Sequence, residues 1–132
     1  MEVDNVFKIA ATEPRVRGFL AERGWVSDGE DDEMEMDSYR NKKTGRRVCM
    51  EDISDGFPVT LVIGELSLSE FSEMARSLTP EIRLLEVDSS WEGQATTIVV
   101  AMTEAHVREM FGKRTRMREV PASVSGLRTS PR

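Results

Sequence analysis

The chain has 132 residues, 39% of them hydrophobic and 32% charged, which fits one globular domain and excludes a fibrous or low-complexity chain. A single cysteine, Cys49, excludes an internal disulfide and a cysteine-built metal site. The formal net charge of −6 disfavours nonspecific nucleic-acid binding; with no apolar run near the roughly 20 residues of a membrane span and no leader-like start, the expectation is a cytoplasmic protein that does not enter a membrane.

The charge is segregated along the chain. Residues 27–37 hold seven acids and no base, residues 40–47 hold five bases and no acid, and residues 106–132 hold seven Lys/Arg against two Glu. Val3, Val6, Phe7 and Ala10 recur at helical spacing and predict a short helix over 4–11. Pro14 suits the first turn of a second helix, 14–23, with Val16, Phe19 and Leu20 on one face and Gly24 past its end. The acidic stretch then reads as a loop. A hairpin follows, from Met34 to Arg40 and from Arg46 to Asp52, with Gly45 in its turn. A turn over 54–58 leads into Val59–Ile63, a β-branched and nearly apolar run that predicts a central strand.

Ser67 and Glu70 have capping-box spacing ahead of a helix over 68–78, and Leu66 and Phe71 form a hydrophobic staple. Thr79-Pro80 ends it. Strands are predicted over 82–87 and 96–102, then a helix over 104–111 capped by Thr103 and ended by Gly112. Residues 1–112 form the expected domain. Residues 113–132, basic and then Ser- and Pro-containing, lack periodicity and read as a disordered tail. The order α-α-β-β-β-α-β-β-α predicts an α+β fold with a mostly antiparallel sheet of about five strands and helices on one face.

Chemistry-bearing motifs fail on inspection. Asp28, Glu30 and Asp32 sit at positions one, three and five of a calcium-type loop, but Glu33 stands where a glycine is needed and Tyr39 where a bidentate glutamate is needed. His106 is the only histidine, so no imidazole pair exists for zinc. No Gly-x-Ser-x-Gly elbow occurs, and Gly112-Lys113-Arg114-Thr115 has Val107 where a phosphate loop needs its first glycine. No dinucleotide fingerprint is present, none of the possible carboxylate pairs stands out, and Cys49 lies in a strand as a small hydrophobe. The expectation is a chain that is not an enzyme and uses no cofactor.

Two surfaces remain. Met34 and Met36 interleave with Glu33, Glu35 and Asp37, the pattern of a strand with an apolar and an acidic face. Together with Asp28, Asp31 and Asp32 as steering charge, Met34, Glu35, Met36 and Asp37 form the candidate partner-binding edge. The alternative is a nucleic-acid surface of Arg40, Lys42, Lys43, Arg46 and Arg47 with Lys113 and Arg114 from the tail.

In element order, size and acidity, residues 14–112 are similar to the class I chaperones of type III secretion. That resemblance implies a dimer that binds an extended segment of another protein. Residues 14–63 are also similar to small RNA-acting toxins of one helix and three strands, whose usual histidine is absent here. The leading expectation is a protein-binding module of adaptor, chaperone or inhibitor type, with another protein as partner and a homodimer as a possible form.

Overall fold

The computed structural model describes residues 5–31, 35–91 and 93–120. Its elements run β1 (Asn5–Ile9), α1 (Glu13–Ala21), β2 (Trp25–Asp31), β3 (Met36–Asn41), β4 (Arg47–Asp52), β5 (Thr60–Gly64), α2 (Leu68–Leu78), β6 (Leu84–Trp91), β7 (Gln94–Ala101), α3 (Glu104–Phe111) and β8 (Met117–Glu119). No helix among the described residues is long and apolar enough to cross a membrane.

The α+β class holds, but the five-strand antiparallel sheet is corrected to a mixed sheet of eight strands in the order β2-β3-β4-β5-β1-β7-β6-β8. Three strands account for the difference. β1 replaces the predicted first helix; it lies between β5, to which it is antiparallel, and β7, to which it is parallel. A central strand buries both faces, so Val6, Phe7 and Ile9 are apolar on both sides and imitate helical spacing. β2 replaces the predicted acidic loop and pairs with β3 along one edge. β8 is a three-residue strand on β6, inside the segment read as a disordered tail; three residues give no periodicity to detect. Residues 121–132 lie outside the described residues.

The expectation that all helices share one face is also corrected. Phe7 and Ile9 of β1 join Val16, Phe19 and Leu20 of α1 and Phe71, Met74 and Ala75 of α2 in one core. On the other face Ile98 and Val100 of β7 pack with Val107 of α3. Alternation along β1 and β7 puts successive side chains into the two cores in turn. A third, smaller cluster of Met36, Cys49, Leu61 and Ile63 lies on the β3–β5 half of the sheet.

Local chemistry sets the helix ends. Ser67 accepts a hydrogen bond from the Glu70 N–H, and the Glu70 carboxylate accepts from the Ser67 N–H, the predicted capping box. Thr103 caps α3 through the His106 N–H at 3.1 Å. Gly64 ends β5 with φ 145°, and a Cβ there would come within 2.6 Å of the Arg47 carbonyl oxygen. Only glycine admits that close passage of β4 over the end of β5.

Candidate functional site

β2 is an outermost strand, paired with β3 on its inner side. Gly24 (φ 93°) turns the chain out of α1, and its carbonyl accepts the Lys42 N–H at 2.8 Å. By antiparallel alternation, the peptide groups of Trp25 then face away from β3. The register shifts between Ser27 and Glu30, around Gly29 (φ 87°). This is a glycine bulge, which bends and twists an edge. Val26, on this strand, is the only exposed large hydrophobic residue among the described residues.

The bulge places Asp28 over the face that carries Arg40 and Arg47. The Asp28 carboxylate lies 3.3 Å from Arg40 and 3.5 Å from Arg47. Arg47 also donates to the Ser38 hydroxyl at 2.8 Å. Arg46 turns to the helix side, where it donates to both Glu70 oxygens at 2.9 and 2.7 Å and to the Glu65 carbonyl at 3.1 Å. Its guanidinium stands 5.4 Å from the centre of the Trp25 ring. The Glu70 hydrogen bonds raise the Arg46 pKa above its ordinary value. Burial pushes the Glu70 carboxyl up, but the Arg46 and Ser67 hydrogen bonds outweigh it and hold the group below its ordinary value.

The basic hairpin is therefore largely neutralised from within. Arg40, Arg46 and Arg47 are committed to carboxylates. Lys42 and Lys43 are exposed at the turn and make no ion pair among the described residues. The turn itself is held by Asn41, whose side-chain oxygen accepts from the Lys43 and Thr44 N–H groups. Lys113 and Arg114 lie between α3 and β8, at the opposite edge of the sheet. A cleft of about 550 Å³ at that edge is lined by other residues, Arg108, Arg116 and Arg118 with Glu104 and Glu119 among them. The two halves of the candidate nucleic-acid surface do not come together.

The candidate acidic edge is partly assembled and partly corrected. Met36 is 5% exposed and belongs to the small cluster with Cys49, so it is not an exposed docking residue. Strand alternation places it inward and Asp37 outward, while Glu35 precedes the strand, exposed in a turn with φ 59°. Asp31 ends β2 opposite Met36. Asp32 and Met34 lie outside the described residues. A cavity of about 300 Å³ gathers Glu35, Met36 and Asp37 with Glu13, Met50, Glu51 and Asp52. Its lining combines five carboxyl side chains with two methionines, near the Asp31 end of β2, where Asp31 pairs with Met36. Glu51 and Asp52 come from β4 and Glu13 from α1, so only pairing of β3 with β4 and packing of α1 could reveal this group. The Ser54 hydroxyl and N–H hydrogen bonds hold the Asp52 carboxyl below its ordinary value.

The Trp25 end of β2 carries a second cavity, of about 340 Å³, lined by residues of α1, α2, β2 and β3, including Phe19, Arg23, Trp25, Asn41, Glu70 and Glu73. The sequence hinted at it only through the spacing of Phe19 and Arg23, one helical turn apart.

Two other titratable groups lie elsewhere. His106 stacks on Phe57 with ring centres 3.8 Å apart, and its Nδ1 is buried without a hydrogen-bond partner among the described residues. Lys8 places its ammonium 4.4 Å from the centre of the Phe111 ring, and burial pushes its pKa down. No group of three or more His, Cys, Asp or Glu side chains among the described residues could hold a metal ion. No family model, curated protein or solved structure matches this chain.

Proposed function

We propose that the protein is a binding module that takes an extended, basic segment of another protein along the outer edge of β2. The observation that carries this reading is the joining of an open edge strand to a carboxylate-lined cavity near its Asp31 end. An added strand gains main-chain hydrogen bonds from the outward-facing peptide groups, while side chains that alternate along it supply selectivity. Glu30 on β2, with Glu35 and Asp37 near its end, favours lysine and arginine on the incoming strand, while Asp28 offsets the repulsion from Arg40 and Arg47. Val26 adds an apolar contact near the Trp25 end.

The same acids and the bulge also protect a lone monomer, because like charges keep two β2 edges from pairing with each other. The reading thus selects a basic partner over self-pairing through β2. The resemblance to secretion chaperones adds a homodimer formed through some other surface, which light scattering on a sizing column tests.

The experiment is a titration with an extended peptide carrying arginine or lysine at alternate positions, followed by amide exchange. Slowed exchange at the outward-facing amides of β2, weakened by salt, is the expected result. Equal binding of an acidic peptide, or protection elsewhere with none on β2, overturns the reading. A parallel titration with single-stranded and duplex nucleic acid tests the alternative, whose arginines are mostly spent on Asp28 and Glu70.

A further inference from the structure

We infer that the cavity at the Trp25 end of β2 is an arginine-accepting subsite, whose Phe19 ring face is covered by Arg23 of the chain itself in the unbound protein. The inference rests on the reading of β2 as an edge for a basic segment and specifies where that segment is anchored.

The cavity has aromatic walls and acidic edges. Phe19 and Trp25 supply ring faces, and Glu70 and Glu73 supply carboxylates. That combination suits a planar guanidinium, which stacks on a ring while its edge N–H groups reach an oxygen. Two such cations are already present, and they are held very differently. Arg46 grips Glu70 in a bidentate pair at 2.9 and 2.7 Å. Arg23 stands 3.7 Å over the Phe19 ring, but its polar partners are distant: the Phe19 carbonyl at 3.5 Å and the Glu22 and Glu73 carboxylates at 3.8 Å. Its side chain is 40% exposed.

Arg46 is therefore a fixed wall and Arg23 a loosely held occupant. Ion pairs at such distances on an exposed side chain contribute little, so moving Arg23 out costs little. An arginine from a strand lying on β2 would find the Phe19 face and Glu73 there, while its main chain pairs beside Trp25. β2 spans seven residues, about 20 Å at about 3.3 Å per residue, with Trp25 of this subsite at one end and, at the other, Asp31 paired with Met36 of the acidic cavity.

The test uses the full chain and two probes. L-arginine amide, followed by the Trp25 indole resonance, reports on the subsite alone. Because Arg23 competes for the same position, Arg23→Ala should bind L-arginine amide about tenfold more tightly than the unaltered chain, with a smaller gain for L-lysine amide. Equal affinity in the two proteins overturns the inference. Glu73→Gln, at an exposed position that leaves the core intact, should weaken an arginine-alternating peptide about fivefold. An unchanged affinity there also overturns it. Peptide protection of the β2 amides that is identical in Glu73→Gln removes the subsite and leaves the edge reading standing. Loss of all β2 protection in the unaltered chain removes the edge reading, and the arginine amide titration still decides the subsite.

Discussion

Arg46 donates to both carboxylate oxygens of Glu70, across 24 positions of sequence. One of those oxygens also accepts the Ser67 N–H that closes the capping box of α2. A single carboxylate thus joins the turn after β3 to the first turn of α2. Glu70→Ala should destabilise the fold by about 1–3 kcal/mol, because it removes the return bond of the capping box and the bidentate pair together, while the Ser67 hydroxyl still accepts the N–H of residue 70. Arg46→Ala should cost less, about 1 kcal/mol, since the cap survives. Urea denaturation of both variants checks the order.

The same carboxyl sets a pH dependence. Its folded pKa is depressed, so its contribution is fully present above the ordinary glutamate value and is lost as pH falls through the lower folded value. Thermal midpoints of the unaltered chain should therefore fall more steeply below about pH 4 than those of Glu70→Gln. Parallel curves for the two proteins below that pH would contradict the assignment.

Gly64→Ala should be strongly destabilising although it adds one methyl group. The new Cβ would meet the Arg47 carbonyl oxygen at 2.6 Å and the Val48 Cα at 2.8 Å, both backbone atoms that cannot rotate away. The positive φ adds strain, and the total should reach about 2–4 kcal/mol. Gly29→Ala meets nothing within 4 Å and should show only the conformational cost, about 1 kcal/mol. Comparing the two denaturation midpoints separates collision from φ strain.

Phe7 and Phe71 stack with ring centres 4.2 Å apart, and Phe71 is fully buried. Phe71→Ala should cost about 3–5 kcal/mol. A double-mutant cycle with Phe7→Ala should return a coupling of about 0.5–1.5 kcal/mol beyond the area lost. A coupling of zero would mean that the two rings pack independently.

How far the sequence reveals this architecture follows from which interactions are local. Ser67, Glu70 and the Phe71 face fix α2 at Leu68–Leu78 as predicted, because capping and amphipathic spacing act within one turn or two. Thr103 and Gly112 do the same for α3. β1 misleads because it is buried on both faces, so Phe7 and Val6 point into different cores while adjacent in sequence. β2 is hidden by composition: Ser27 to Asp31 are poor strand formers, and they become a strand through pairing with β3 and the Asp28 pairs with Arg40 and Arg47. At the site, Asp37 is legible from alternation, whereas Glu35 falls in a turn before β3 where alternation predicts a strand. Glu13 and Asp52 are not, because tertiary packing alone brings them to the same cavity.

Asp28 decides between the two surfaces that the charge pattern offers. Its carboxylate holds both Arg40 and Arg47, so Asp28→Asn should release two guanidinium groups on an exposed face without opening a cavity. Stability should change by no more than about 1 kcal/mol, as for exposed ion pairs. Affinity for a basic peptide should fall several-fold and lose part of its salt dependence, since one steering charge is gone and two repelling charges are uncovered. Binding to single-stranded nucleic acid should rise, with a steeper salt slope by about one to two phosphate contacts. Titrations of both ligands at two salt concentrations measure the affinities and their salt slopes, and urea denaturation measures the stability change. Peptide affinity that rises in Asp28→Asn would place the peptide on the arginine face of the hairpin, away from the outer edge of β2.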